Sequence, residues 1–320
     1  AHFIDSPIAD CQFPIANCDL SPGCPWIFGR RQGANGSHWA MIATLLYSIS
    51  GGMLAALATA RFAELAWRFV RVAALVAFAT SCATTIWLTG AADPVNLAHT
   101  DWIRAAGIIP VAAALGLVFI APASGAWPRA SRFLCAIGGL GGLAAASGAA
   151  LCTWADRYPG IPGYSCAPPM VVLAQLLSAL LLGTMTAAWL LGHAYLTATR
   201  MTIVPLQRIS RLLTWVVAAR IGMVIFSVLL AWWMSSPAAA GEPAELVHSV
   251  LGRLQQSWLI VLLRCGVGLA AVLIFAIMVG DCVRVRATQS ATGILYFASV
   301  FAYVGELAGQ QLIRECGWPI

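Results

Sequence analysis

Eight stretches of roughly twenty mostly apolar residues run through the sequence, and their length decides most of what the chain can fold into. A helix needs about 20 apolar residues to cross the hydrocarbon core of a bilayer. The predicted spans are 39–60, 72–91, 105–121, 133–151, 169–196, 212–234, 257–280 and 290–313. None has the alternating pattern of a membrane-barrel strand, so the sequence predicts an all-α, polytopic transmembrane helical bundle. Pro110 is expected to bend the third span.

The composition supports a membrane location. The chain is 60% apolar and only 9% charged, whereas about a quarter of the residues of a soluble domain are charged. The basic residues are all arginines and are scattered over short loops, so the net charge of +6 does not predict nucleic-acid binding. The sequence also lacks P-loop, GxSxG and HExxH motifs and paired catalytic carboxylates, so it gives no sign of a self-contained soluble-type enzyme.

The charges between the spans predict an orientation, because arginine-rich loops stay in the cytoplasm. The loops after the odd-numbered spans are the richer ones and hold Arg61, Arg68, Arg71, Arg129, Arg132, Arg200, Arg208, Arg211, Arg284 and Arg286. Acidic side chains gather on the opposite side: Asp5, Asp10, Asp19, Asp93, Asp101, Asp156, Glu242, Glu245 and Glu315. Both termini are therefore predicted on the outer, periplasmic side of a bacterial inner membrane.

This orientation divides the chain into two parts. Residues 1–38 are predicted to form an extracytoplasmic, Cys-containing segment, and residues 39–320 the eight-helix transmembrane domain. A cleaved signal peptide would explain how the first segment crossed the membrane. An interfacial belt of tryptophans is expected at the outer boundary, formed by Trp39, Trp102, Trp154, Trp258 and Trp318.

The cysteines on the predicted outer side are an even set: Cys11, Cys18, Cys24, Cys152, Cys166 and Cys316. An even number of cysteines in an oxidising compartment predicts disulfide bonds. Cys152 and Cys166 close one loop and are the pair expected first, while the others could join the N-terminal segment to itself and to Cys316. A metal or iron–sulfur site is the alternative, but the spacings include no CxxC. The absence of CxxCH argues against covalently attached haem.

Ionisable side chains inside the spans are the candidates for function, because each costs at least a few kcal/mol in a bilayer. Arg264 of the seventh span is predicted about 10 Å below the outer surface, at ~1.5 Å per residue. Glu306 of the eighth span is predicted at a similar depth, so the two are expected to form an ion pair. The pair either staples two helices or, with Gln310 one turn beyond Glu306, lines a polar pocket that opens to the outer half.

His193 and Arg220 are predicted on the inner half of the membrane. A lone histidine near a helix end more often hydrogen-bonds a neighbouring helix than binds a metal, and a membrane haem usually needs two facing histidines. No haem is therefore expected in the chain itself. Gly266 and Gly268, beside Arg264, are expected to let a partner helix or a flat ligand approach closely.

The last span carries the segment Gly305-Glu306-Leu307-Ala308-Gly309. This segment resembles the final helix of eight-helix anchor subunits of the DmsC type, which belong with the NrfD-type anchors to quinone-linked respiratory complexes. The same span, with GHAYL at 192–196 and the closing CGWPI, also resembles uncharacterised bacterial multi-helix membrane proteins. The first resemblance implies a cofactor-free membrane subunit that handles quinol and docks onto a redox partner.

The leading expectation is therefore a quinone-interacting membrane subunit of a larger respiratory or photosynthetic electron-transfer complex, rather than a self-contained enzyme. The quinone-binding candidates are Arg264, Glu306, Gln310, His193 and Arg220. The expected partners are other membrane or periplasmic redox subunits and lipids, and the only expected cofactor is non-covalently bound quinone. A purely structural or assembly subunit is the alternative. A small-solute transporter is the third reading, since no inverted repeat with broken helices is visible.

Overall fold

The computed structural model describes residues 34–60, 65–90, 97–120, 128–157, 167–197, 202–234 and 252–319. These residues are almost entirely helical and include no β-strand. Eight of the described helices are long and apolar enough to cross a membrane. The prediction of a multi-pass helical membrane protein is confirmed by this architecture. The predicted segment 1–38 lies mostly outside these described residues.

The helices are α1 (Ala34–Ala58), α2 (Trp67–Gly90), α3 (Leu97–Ile120), α4 (Pro128–Arg157), α5 (Ala167–Thr197), α6 (Val204–Met234), α7 (Trp258–Arg284) and α8 (Thr288–Cys316). Helix α7 has three parts. An α-helical turn, Trp258–Leu262, leads into a π-helical segment, Leu263–Ala271, and the α-helix resumes over Val272–Arg284. Consecutive helices run up and down, so α1, α3, α5 and α7 begin at one end of the bundle and α2, α4, α6 and α8 end there.

The helices begin earlier than their apolar stretches do. Helix α4 starts at Pro128 rather than 133, and α6 starts at Val204 rather than 212. Proline fits the first turn of a helix, where its missing N–H has no intrahelical acceptor. Arginines in the first turns can lay their aliphatic stems along apolar surface and extend the charge to the boundary. Helix α3 runs continuously through Pro110.

Helix α1 packs against α2, α4 and α5, and its contacts with α4 and α5 are made through glycines. A Cβ on Gly51 would lie 2.6 Å from the carbonyl carbon of Gly142 in α4, and a Cβ on Gly183 of α5 would lie 1.9 Å from that of Gly52. The backbones therefore touch at both crossings. Close approach of small residues is a general means of joining helices in lipid, where apolar burial gives no net drive.

The second half of the molecule is arranged around α8, which packs against both α5 and α7. Helix α6 lies against α5 and against the Val272–Arg284 part of α7. The outer surface of α6 is apolar, with Trp215 and Trp232 both more than 70% exposed. Such a surface suits contact with lipid chains.

Two tryptophans close the end of the bundle where α8 finishes, here called the Trp318 end. Trp154 donates a hydrogen bond from Nε1 to the Gly317 carbonyl oxygen at 2.8 Å, and Trp318 donates from Nε1 to the Ser227 carbonyl oxygen at 3.1 Å. Both rings are buried. The expectation that these two belong to an interfacial belt is wrong, because their N–H groups are used inside the protein. The opposite end, near Arg284, holds an extensive apolar core.

Candidate functional site

Three charged side chains from three helices meet inside the second half of the bundle. Oε1 of Glu306 on α8 accepts a hydrogen bond from Nη1 of Arg264 on α7 at 2.8 Å and lies 3.5 Å from Nε of Arg220 on α6. Ser178 on α5 donates from Oγ to Oε2 of the same carboxylate at 2.5 Å. We call these four residues the Arg–Glu–Arg cluster. The predicted ion pair between Arg264 and Glu306 is confirmed.

Arg220 lies farther from the start of its helix than predicted. Its expected position beside His193 on the inner half rested on a span beginning at 212, whereas α6 begins at Val204. The earlier start puts about 24 Å of helix before Arg220, at ~1.5 Å per residue, and brings its side chain to the level of Glu306. The inner-half placement of Arg220 is therefore wrong, because the apolar stretch understated the length of α6.

His193 lies apart from the cluster. Its Nδ1 is 3.1 Å from the hydroxyl oxygen of Tyr296 on α8, and the imidazole is exposed. Tyr296 precedes Glu306 by about 15 Å along α8 at ~1.5 Å per residue. The expectation that His193 hydrogen-bonds a neighbouring helix is confirmed. The grouping of His193 with the other quinone-binding candidates does not correspond to a single site.

The glycines beside Glu306 have defined contacts. A Cβ on Gly268 of α7 would lie 2.4 Å from Cα of Gly305, and a Cβ on Gly309 would lie 3.0 Å from Nε of Arg264. Gly305 thus brings the α7 and α8 backbones together, and Gly309 makes room for the guanidinium. The close approach predicted at Gly268 is confirmed. Gly266 differs, since the nearest atom to an added Cβ is Leu262 Cδ1 of its own helix, 3.9 Å away.

Arg264 and Gly268 lie in the π-helical segment Leu263–Ala271, which was not predicted from the sequence. Wide π-turns are rare and are found frequently at functional sites. The only sequence feature that marks this segment is an arginine followed by Gly266 and Gly268 in an otherwise apolar stretch. This pattern indicates close packing but does not reveal a change in hydrogen-bond register.

A chain of amide and hydroxyl groups lies one turn from the cluster, toward the Trp318 end. Gln310 Nε2 donates to Gln175 Oε1 at 2.5 Å, Gln175 Nε2 donates to Ser48 Oγ at 2.7 Å, and Ser48 Oγ donates to the Thr44 carbonyl oxygen at 2.6 Å. We call Gln310, Gln175 and Ser48 the amide chain. Of its members, only Gln310 was a predicted site residue. Gln175 was a possible cue, because a glutamine within an apolar span needs a partner.

A small crevice adjoins the amide chain at Gln310. Its volume is about 10 Å³, which is roughly the room that one water molecule needs. The crevice is lined by Met41, Thr44, Ala150, Thr153, Trp154, Gln310, Ile313 and Arg314. Of the three residues predicted to line a polar pocket, only Gln310 lines this crevice, and a pocket formed by Arg264, Glu306 and Gln310 stays a prediction.

The cluster holds more positive than negative charge. Two guanidinium groups face one carboxylate, and all three side chains are at most 1% exposed. Nη1 of Arg220 is buried and finds no hydrogen-bond acceptor among the residues that the structure describes. The cluster is thus closed and tightly packed, yet it contains a strong donor that is not used.

The cysteine predictions fall largely outside the described residues. Cys11, Cys18, Cys24 and Cys166 lie there, whereas Cys152 is half-buried near the end of α4 and Cys316 is buried at the end of α8. The disulfide bonds therefore stay predictions. Within the described helices, Cys82, Cys135, Cys265 and Cys282 are free thiols, and no three His, Cys, Asp or Glu side chains gather as a metal site.

Comparison with protein families, with characterised proteins and with solved structures finds no match to this chain. The fold and the site define a multi-pass helical membrane protein with a buried, net-positive Arg–Glu–Arg cluster. Its role has to be argued from that cluster.

Proposed function

We propose that the chain is a membrane subunit of a larger electron-transfer complex, that it interacts with quinol at the Arg–Glu–Arg cluster, and that it anchors a redox partner. The observation that carries the proposal is the buried Arg220 Nη1, which has no acceptor among the described residues. An ion pair that only joins two helices needs one arginine and one carboxylate. The second arginine adds desolvation cost without a second negative charge.

The donor set of the cluster suits the oxygens of a quinol headgroup. A guanidinium donates up to five hydrogen bonds and stays charged in proteins, whereas a carboxylate accepts hydrogen bonds and protons. Arg220 and Arg264 would hold a headgroup oxygen, Glu306 would accept a proton from its hydroxyl, and Ser178 would hold the carboxylate in place. Quinol loses two electrons and two protons on oxidation. The electrons would pass to a redox group on the partner, and Glu306 would release the first proton before it accepts the second.

Access to the cluster requires a movement, since its charged side chains are at most 1% exposed. Helix α6 is the natural moving element, because much of its surface is lipid-facing and it packs against α5 and the Val272–Arg284 part of α7 more than against the π-helical segment. Separation of α6 from the π-helical segment would uncover Arg220 first.

The proposal includes the orientation predicted from the loop charges: a bacterial inner membrane with the Trp318 end and both termini periplasmic. Cys282, a free and partly buried thiol two residues before Arg284, would then lie near the cytoplasmic face. Thiol labelling of Cys282 should occur from the cytoplasmic side only. Labelling from the periplasmic side alone would invert the topology.

Quinone extraction from the complex purified out of its native membrane tests the proposal directly. We expect quinone in roughly stoichiometric amount over that in the copurified lipid, together with a redox-active partner. The matched variant is Arg220→Met, which removes the unused donor and should lower the quinone content to the lipid background. Equal quinone content in both proteins would contradict a role for Arg220.

Glu306→Gln tests the proton-accepting role. The amide oxygen can still accept from Arg264, but the side chain can no longer take a proton at neutral pH. We expect normal assembly and a loss of quinol-dependent turnover of ~10²-fold or more, which is the usual contribution of a general base. The control is Glu315→Gln on the same helix, which accepts from Ser257 and Gln311 outside the cluster and should keep full turnover.

A structural or assembly subunit is the second candidate, and the closed packing of the cluster favours it. In that role Glu306 would only join α5, α6, α7 and α8, and no ligand would need to enter. Glu306→Gln with full turnover and no quinone in the extract would make this candidate the leading one.

A further inference from the structure

We propose that the amide chain, Gln310, Gln175 and Ser48, together with the crevice beside it, is the route by which water reaches Glu306 from the Trp318 end. The proton-carrying role of this route rests on the proposed quinol function, whereas the entry of water does not.

The layers of polar groups are stacked along the helices. Gln310 follows Glu306 by one turn on α8, and Gln175 precedes Ser178 by three residues on α5, so the steps are about 6 Å and about 4.5 Å toward the Trp318 end. The Gln310–Gln175 hydrogen bond joins the same two helices as the Ser178–Glu306 hydrogen bond. Both pairs therefore belong to one seam between α5 and α8.

The seam opens toward the crevice. Gln310 belongs both to the crevice, which it lines, and to the seam between α5 and α8, where it donates a hydrogen bond to Gln175. Thr44 also lines the crevice, and its carbonyl oxygen accepts the last hydrogen bond of the amide chain. A site with polar partners and the room of one water is what an internal water requires.

The seam is closed in the other direction. Beyond the hydrogen bond between Thr186 and Tyr303, α8 continues with Ala298 and Leu295, which are fully buried in the apolar core. The side chains of these two residues offer water no hydrogen-bond partners. This packing favours entry of water and protons from the Trp318 end.

Glutamine suits this position because its amide is both a donor and an acceptor. A side chain of this kind can orient a water on either side without carrying a charge of its own. Gln310 and Gln175 are thus positioning residues, and the proton acceptor remains Glu306.

Radiolytic hydroxyl-radical footprinting of the intact purified protein, read by peptide mass spectrometry, tests the route because it oxidises side chains next to bound water. The reporter is Ser178→Cys, and the internal reference is Cys135, a free thiol with 0% exposure in the apolar core. We expect the introduced thiol to oxidise severalfold faster than Cys135 because it lies beside bound water, and adding Gln310→Leu to bring the two rates together. Equal rates in the single variant would overturn the proposal.

A second reporter covers the case in which Ser178→Cys does not fold. The native Met41 lines the crevice, and Met185, with 0% exposure, serves as its reference. Met41 should oxidise severalfold faster than Met185 if the crevice holds water beside it. Rates equal to that of Met185 would overturn the route.

The two proposals fail separately. A reactive thiol at position 178 without any quinone in the complex would leave the water route standing and refute the quinol function. Full quinol turnover of the protein with Ser178 intact, together with a thiol at position 178 of the variant that oxidises no faster than Cys135, would refute the water route and leave the quinol function standing. If both hold, Gln310→Leu should lower quinol-dependent turnover about tenfold while the quinone content stays unchanged.

Discussion

The two halves of the bundle hold their helices together by different means. Around α1, the contacts rely on glycines, with Gly51 against Gly142 and Gly52 against Gly183. Around α8, one glycine contact, Gly268 against Gly305, lies directly beside a buried carboxylate and two buried guanidinium groups. In the part of the first half that the structure describes, backbone contact is achieved without a fully buried charged side chain.

This difference indicates what the charges are for. A chain that joins α1 to α4 and α5 with small residues does not need ions to hold helices together in lipid. Buried ion pairs are in general weak contributors to stability, because desolvation offsets most of their attraction. Packing alone therefore does not explain the buried charges around α8. It explains Arg220 least, because Arg220 is the second cation beside a single carboxylate.

The largest effect is expected from Glu306→Leu. This change leaves Arg220 and Arg264 buried without their carboxylate, and an uncompensated buried charge costs about 3–5 kcal/mol. We expect the variant to fail to accumulate in the membrane or to aggregate on extraction, as measured by expression level and size-exclusion profile in detergent.

The matched comparison is Glu306→Gln, which keeps an acceptor for Arg264 and should accumulate normally. A stable, monodisperse Glu306→Leu protein would mean that water or lipid can compensate the arginines. The contrast between the two halves of the bundle would then lose its energetic basis.

A smaller effect is expected at the glycine contact between α1 and α5. A Cβ on Gly183 would lie 1.9 Å from the Gly52 carbonyl carbon and 2.1 Å from the Met53 nitrogen, so Gly183→Ala forces backbone apart. Overpacking of this kind costs about 1–3 kcal/mol. The measurement is the midpoint of denaturation of the purified protein.

Gly222→Ala on α6 is the control, because nothing lies within 4 Å of the added Cβ. It should leave stability unchanged or raise it by about 0.5–1 kcal/mol, the usual advantage of alanine over glycine within a helix. Equal losses in the two variants would show that the α1–α5 contact is not specific.

The fold was predictable to the extent that length and hydropathy determine it. Eight apolar stretches gave eight helices, and the placement of Arg264 and Glu306 near one end of adjacent antiparallel spans gave their ion pair. Both inferences need only the rise of a helix and the cost of a buried charge.

The rest of the site depends on information that hydropathy does not contain. Arg220 was misplaced because the first turns of α6 are too polar to be counted as span. Ser178, Gln175 and Ser48 were not predicted because a serine or glutamine in an apolar helix does not indicate which neighbour it faces. That choice follows from the rotation of α1, α5 and α8 about their axes, which the glycine contacts determine.

The smallest change in stability is expected from Arg220→Met. This variant is the most direct test of whether the charges around α8 serve the packing of the helices or a ligand. Arg264 donates to Glu306 at 2.8 Å, whereas Arg220 approaches the same oxygen at only 3.5 Å. Removal of Arg220 leaves a one-to-one ion pair and replaces a buried cation by a flexible apolar side chain of similar length. We expect the free energy of unfolding to change by less than about 1 kcal/mol, while Arg264→Met costs about 3 kcal/mol or more.

Denaturation midpoints of the two variants, measured in the same detergent, provide the test. If Arg220→Met destabilises the protein as much as Arg264→Met does, both arginines serve the fold, and the excess charge no longer points to a ligand. If stability is kept while bound quinone is lost, the second arginine serves function alone.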